Sequence, residues 1–203
     1  MFRSPFTAHV FLLAAVAAVP TVACGDDGDT QPIEETGPVS LGVETSGALS
    51  VELLADGPLA VGLNRVYFRL TADGAPVTAA TITQVPMMHM TEMGMEHSCP
   101  CEQPPAVADA DGLFPGWVVF QMAGGLTGDT WREEVTVERD GAEPVDVVFE
   151  GFAVSESGAR KDLTITTAMG SSTAIVTLNF AATPAVGKNP FTVTVHQKAD
   201  MMG

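Results

Sequence analysis

The segment 87–101 carries nine sulfur or imidazole side chains among its fifteen residues. Five of them are methionines, although the whole chain has only 10 methionines in 203 residues. Thioether, thiolate and imidazole groups suit soft metal ions, above all Cu(I), whereas Ca²⁺ and Mg²⁺ prefer carboxylate and carbonyl oxygens. The pattern therefore predicts a copper site formed by Met87, Met88, His89, Met90, Met93, Met95, His97, Cys99 and Cys101.

The spacing of the methionines indicates how they converge. In an extended chain, residues two apart share a face, so Met88 lies beside Met90 and Met93 lies beside Met95. A methionine-rich connection has other uses: it fills irregular gaps in a core, forms an adaptable apolar contact surface, or serves as a sacrificial target of oxidation. A core-filling segment seldom interleaves Met with His, Glu and Gly, and this favours soft-metal binding.

Cys99 and Cys101 are separated by a single proline. A disulfide across one residue is strained, although an oxidising compartment can still produce it. Metal thiolates are the other use, and a tetrahedral zinc site would combine the two cysteines with His97 and His89. Zinc leaves the five methionines without a role, so copper is preferred. A blue-copper centre is disfavoured, because it needs a second histidine near the cysteine and none follows Cys101 before His196.

A set of short motifs between residues 48 and 140 forms a second pattern. The motifs are Gly62-Leu63-Asn64, Asp73-Gly74-Ala75-Pro76-Val77-Thr78-Ala79-Ala80, Pro86-Met87-Met88-His89-Met90, Phe120-Gln121-Met122-Ala123-Gly124 and Trp131. Together they resemble the YtkA-like domain of bacterial exported proteins. The resemblance implies an immunoglobulin-like β-sandwich and an association with periplasmic copper handling. It also implies a metal-facing set of Met87, Met88, His89, Met90 and Met122.

Short runs of alternating polarity, separated by turn residues, predict an all-β protein built as an antiparallel sandwich. The predicted strands cover residues 49–54, 65–71, 77–84, 116–122, 132–138, 145–152, 162–167, 173–180 and 191–196. We expect residues 48–152 to form the immunoglobulin-like sandwich. The alternation predicts nine inward-pointing side chains: Val51, Leu53, Val66, Phe68, Leu70, Val118, Phe120, Val135 and Val137.

The opening part of this sandwich is repeated 125 residues later. Ser50–Leu53 matches Ile175–Leu178, and Ala60–Asn64 matches Ala185–Asn189. Residues 153–203 are therefore expected to add further strands and the start of a second, incomplete β module. A lone two-stranded hairpin is marginally stable in water, so we expect it to dock on the first sandwich or to be weakly protected.

The N-terminus predicts export to the bacterial cell envelope. Arg3 precedes the apolar run Val10–Val19, which is too short to span a bilayer and is typical of a signal peptide. Residues 21–24 resemble the lipobox of bacterial lipoproteins, so we expect residues 1–23 to be removed and Cys24 to carry the lipid. Residues 24–47 are predicted to be a flexible acidic tether. The mature protein would face the periplasm or the exterior, in an oxidising compartment.

The composition narrows the function classes. The chain has 9 Lys and Arg against 25 Asp and Glu, a net charge of −16, which argues against nucleic-acid binding and against a polybasic membrane surface. No nucleophile elbow, phosphate-binding loop or dinucleotide motif occurs. The consecutive pair Glu133 and Glu134 would face opposite sides of a strand, which disfavours an acid–base dyad. We therefore expect no enzyme.

These observations favour a lipid-anchored exported protein that binds Cu(I) for delivery or sequestration. Its partner would be another exported protein that donates or receives copper. The alternative is an immunoglobulin-like structural or interaction module at the cell surface, in which the methionine-rich segment is a contact patch for a protein.

Overall fold

The computed structural model describes residues 37–168, 170–180 and 184–197, and this part of the chain consists of strands and connections without a helix. None of these residues forms a helix long and apolar enough to cross a membrane. The strands are β1 (Val39–Ser46), β2 (Leu49–Ala55), β3 (Gly62–Ala72), β4 (Ala75–Val77), β5 (Thr81–Met90), β6 (Met95–Ser98), β7 (Cys101–Glu102), β8 (Phe114–Phe120), β9 (Thr130–Glu138), β10 (Val145–Phe149), β11 (Arg160–Thr167), β12 (Gly170–Phe180) and β13 (Phe191–Gln197).

Two antiparallel sheets enclose the core. The first has the order β1-β2-β3-β8-β7, with β4 also paired to β3, and the second has the order β10-β9-β5-β6. Alternate residues of both sheets point inward and form one buried apolar cluster. Each large apolar side chain buried there stabilises the fold by about 1.5–3 kcal/mol. The molecule is therefore an immunoglobulin-like antiparallel β-sandwich, as the alternation predicts.

The predicted core residues all lie in this cluster. The following nine side chains are at most 3% exposed: Val51, Leu53, Val66, Phe68, Leu70, Val118, Phe120, Val135 and Val137. The second sheet adds Ile82 and Trp131, each 1% exposed. Period-two alternation is thus a sufficient guide to the inward faces of these strands.

Two expectations about local structure are wrong. The tether predicted for residues 24–47 does not extend over Val39–Ser46, which is the edge strand β1 paired with β2 from Ser46↔Leu49 to Val39↔Ala55. Six of its eight residues are exposed, so it lacks the apolar alternation that marks a strand, and the ladder to β2 holds it instead. The strand predicted over residues 77–84 is divided between β4 and β5. The earlier part of the predicted tether, with Cys24 and residues 1–23, lies outside the described residues.

A third sheet, β11-β12-β13, contains the repeat. In β2–β3, Leu49 pairs with Ala72, and in β12–β13 Ala174 pairs with Gln197, so both partners are displaced by the same 125 residues. The hairpin connections match as well. Asn64 bonds the backbone N–H and carbonyl of Ala60 at 3.1 and 2.7 Å, and Asn189 bonds those of Ala185 at 2.9 and 2.8 Å.

One face of the third sheet docks on the sandwich. Ile175 and Thr177 on this face are at most 1% exposed, and the side-chain oxygen of Asn179 accepts a hydrogen bond from the Leu63 amide at 3.1 Å. Gly62 makes this approach possible, because a Cβ there would lie 2.5 Å from that oxygen and its φ is +118°. Docking is therefore the outcome for the second hairpin.

Candidate metal centre

The methionine-rich segment is a β-hairpin, whereas the predicted strands leave residues 85–115 outside any strand. Strand β5 continues to Met90, the chain turns through residues 91–94, and β6 returns from Met95. Gly94 adopts a φ of +58°, and the Thr91 amide donates to the Asp129 carboxylate at 2.8 Å, which ties the turn to the start of β9. The strand geometry then determines which candidate ligands share a face.

Four candidate ligands lie on the inner face of the hairpin. In the β5–β6 register, Met88 is opposite His97 and Met90 is opposite Met95. Side chains directly opposite one another in an antiparallel pair share a face, with Cβ atoms about 5 Å apart. We call Met88, Met90, Met95 and His97 the thioether face. It brings three thioethers and one imidazole together along two adjacent strands.

The thioether face grades from buried to exposed. Met88 is 0% and Met90 is 3% exposed, His97 is half-buried, and Met95 is 39% exposed. Because β6 is the last strand of its sheet, the exposed end of this face lies at the rim of the sandwich. A small ion could therefore reach the sulfur of Met95 without opening the core.

Trp131 packs beside this face. It pairs with Met88 across β5–β9, and its ring lies edge-on to His97 with centroids 5.8 Å apart. Its indole N–H donates to the carbonyl of Met122 at 3.0 Å, and Met122 itself packs against the core cluster. Gly124 is required here, because a Cβ would lie 2.7 Å from the indole Cδ1. Trp131, positioned by the Met122 carbonyl, thus forms one wall of the candidate site.

The outer face of the same hairpin has different chemistry. Met87 and His89 point there, away from Met88 and Met90. His89 Nδ1 is 3.5 Å from a Glu96 carboxylate oxygen, and Arg132 lies 2.7 Å from the same carboxylate. Hydrogen bonding to the Arg132 guanidinium lowers the pKa of Glu96 below its ordinary value. Because the Arg132 guanidinium already forms an ion pair with the Glu96 carboxylate, this face is unfavourable for a metal cation.

The predicted ligands are therefore divided. Met93 lies in the turn and is 54% exposed, so it belongs to neither face. Zinc coordination by Cys99, Cys101, His97 and His89 is not assembled, because the two histidines lie on opposite faces of the hairpin. Among the described residues, no group of three or more His, Cys, Asp or Glu side chains is placed to hold a metal ion. That criterion does not consider methionine.

The two cysteines link the sheets and are free thiols. Cys99 is 7% exposed and belongs to the core cluster, whereas Cys101 begins β7 and pairs with Val118 in the other sheet. Burial raises the pKa of the Cys101 thiol to about 11 and that of the Cys99 thiol further still, with the nearby Glu133 carboxylate as the next cause. Both thiols are thus protonated at neutral pH, and a metal would have to displace their protons.

Sequence reasoning missed two buried polar side chains, Gln84 and Glu133. Glu133 is 2% exposed, and its Oε1 has no hydrogen-bond partner. Burial and then the neighbouring Glu134 raise its pKa well above the ordinary value. Gln84 is also fully buried, and its Nε2 donates to the Glu102 carbonyl. The alternation of β9 contained the signal, because Glu133 falls between Trp131 and Val135 on the inward set.

Comparison of the chain with protein-family models, with curated proteins and with solved structures gives no match. The resemblance to the YtkA-like domain therefore stays a prediction from sequence, and so do export and lipidation.

Proposed function

We propose that this chain is an exported lipoprotein that binds Cu(I) on the thioether face and delivers or sequesters it. The observation that supports this most is the register of β5 and β6, which sets Met88 opposite His97 and Met90 opposite Met95. Neutral sulfur and imidazole ligands match the preference of Cu(I), and thioethers need not lose a proton to bind.

The surroundings support a site for a soft monovalent ion. The thioether face is bounded by Trp131 and by the core cluster, so an ion bound there would be partly shielded from water. Soft thioether ligands with little charge are suited to Cu(I) and offer little to hard, strongly hydrated cations. Cys99 belongs to the same cluster and Met122 packs against it, so both are further candidate sulfur ligands.

The exposure gradient supports transfer as well as storage. Met95 at the rim is accessible, whereas Met88 and Met90 are buried. A partner that supplies a sulfur or imidazole ligand could replace Met95 first and draw the ion outward by ligand exchange. The net charge of −16 raises the local concentration of cations around the protein. The partner would be an exported copper donor or acceptor.

The test is a Cu(I) competition titration against a chromophoric chelator under anaerobic conditions. In one variant Met90 and Met95 become Leu, which keeps volume and apolarity nearly constant and removes two thioethers. The matched control replaces Met87 and Met93 by Leu in the same hairpin but away from the thioether face. We expect the first variant to lose at least about tenfold in affinity, about 1.4 kcal/mol, and the control to bind like the parent.

Equal behaviour of the two variants would refute a site on the thioether face. If the parent itself shows no Cu(I) binding, the alternative function gains support. The specific observation in its favour is the exposure of Met93 and Met95 at the hairpin end, 54% and 39%, since flexible thioethers make adaptable protein contacts. In that case the Met93→Leu variant would weaken capture of a protein partner and leave metal binding absent.

A further inference from the structure

We propose that the third sheet is the dimerisation surface of this protein, through which two copies form a second sandwich. The proposal rests on the face of β11-β12-β13 that points away from the docked side. This outer apolar face consists of Leu163, Ile165, Ala174, Val176, Leu178, Phe180, Phe191, Val193 and Val195, which the strand registers place on one side. It does not depend on the proposed copper site.

The outer apolar face is exposed to an extent unusual for such residues. Seven of its side chains are 40–62% exposed: Leu163, Ile165, Leu178, Phe180, Phe191, Val193 and Val195. Contiguous apolar patches above a few hundred Å² mark interaction surfaces on soluble proteins. Phe180 and Phe191 pair across β12–β13 with ring centroids 6.0 Å apart, so the patch includes an aromatic pair of the kind enriched in interfaces.

The repeat shows what such a face packs against. At the offset of 125 residues, Val176 and Leu178 correspond to Val51 and Leu53, and Val193 corresponds to Phe68. In the first sandwich these counterparts are at most 2% exposed, because the apolar face of another antiparallel sheet covers them. Among the residues that the structure describes, the outer apolar face is therefore a core face without a covering sheet.

A second copy supplies that covering sheet. Within the described part of the chain, the inner faces of the two sandwich sheets already cover each other, and the outer apolar face is the apolar sheet face left over. Two such faces related by a twofold axis would pack as aligned sheets do, about 10 Å apart. Stable interfaces cover about 800 Å² per partner, and the outer apolar face offers nine apolar side chains on three adjacent strands.

The charge distribution permits this contact. The protein has a net charge of −16, yet the described strands place no Asp or Glu on the outer apolar face. Asp162 in β11 points to the other side, where it pairs with Arg160 at 2.8 Å. Lys161 lies on the edge strand β11, opposite Val176 of β12, and is the charged side chain that the described strands place on this face. Two copies can therefore approach here without opposing carboxylates.

The experiment is site-specific photo-crosslinking of the full chain in the cells that export it. A photoreactive benzoylphenylalanine replaces Phe191, and cells make two differently tagged copies of the protein. The expected product has twice the monomer mass and carries both tags. The same group at Val148, which is 43% exposed on β10, is the matched control and should give no such product.

A second variant keeps the test independent of the crosslinker. Leu178→Glu places a carboxylate in the middle of the face and should abolish the doubly tagged product. Should circular dichroism show that it does not fold, Val193→Thr, which keeps a β-branched side chain, should reduce the yield several-fold. No doubly tagged product at Phe191, or an adduct only with a different protein, would overturn the proposal. An equal yield at Val148 would do the same.

Discussion

Replacing Glu133 by Gln is expected to change how the stability of the protein depends on pH. The carboxyl group is 2% exposed and lacks a partner for Oε1, and its pKa is raised in the folded state. In the unfolded chain the group titrates near its ordinary pKa of about 4.3. Between these two values the folded protein keeps a proton that the unfolded chain has lost. The free energy of unfolding then falls by about 1.4 kcal/mol per pH unit on account of this group.

The contribution of Glu133 is thus fully present below the unfolded pKa and is lost as the pH rises through the folded pKa. The Gln variant has no proton to lose, so its free energy of unfolding should lack this slope. Urea denaturation of both proteins at half-unit steps from pH 4.5 upward measures the difference. Glu138→Gln is the control, because that carboxyl group is exposed at the end of the same strand. Parallel slopes for the parent and the Glu133 variant would refute the assignment.

The remaining predictions concern packing, processing and the thiols. Gly124→Ala should destabilise the protein by about 1–3 kcal/mol, because its Cβ would lie 2.7 Å from the indole that walls the site, while Gly158→Ala, with open space around it, should stay within about 0.5 kcal/mol in urea denaturation. Cys24→Ala should abolish lipidation and cleavage before residue 24, and an unchanged intact mass of the membrane-extracted protein would contradict the lipobox. Replacing Cys99 and Cys101 by Ser should weaken Cu(I) binding less at pH 5 than at pH 7.5. The thiols have raised pKa values, so protons compete with the metal for them more strongly at the lower pH. A larger loss of affinity at pH 5 than at pH 7.5 in competition titrations would exclude the two cysteines as ligands.

The fold can be predicted from the sequence wherever one face of a strand is buried. Alternation along β2, β3, β8 and β9 identifies the nine core residues, because a shift of one residue would expose the whole apolar set. Strand β1 was not accessible, because six of its eight residues are exposed and its position depends on pairing with β2. The composition of β1 alone therefore does not indicate a strand, because pairing with β2 holds it in place.

The sequence predicts which residue types form the candidate site, but not how they are arranged. The residue types of segment 87–101 predict the chemistry. The division into two faces follows from a hairpin, which the glycine and polar residues of its turn make difficult to distinguish from a loop in the sequence. The burial of Glu133 is not predicted by its residue type, because acidic residues rarely lie in a core without a partner. Its position in the alternation of β9, between Trp131 and Val135, nevertheless places its side chain in the core.

The crossing from β6 to β7 has a consequence for aggregation. Within the three residues Cys99, Pro100 and Cys101 the chain leaves the edge of one sheet and joins the edge of the other. Both edge strands are short, four and two residues, and proline between them has no N–H to offer an incoming strand. Exposed sheet edges template uncontrolled strand addition and fibril growth, and here two of them are blunted at once. At this end of the sandwich the crossing protects against amyloid-like stacking, even though apolar side chains lie close beneath it.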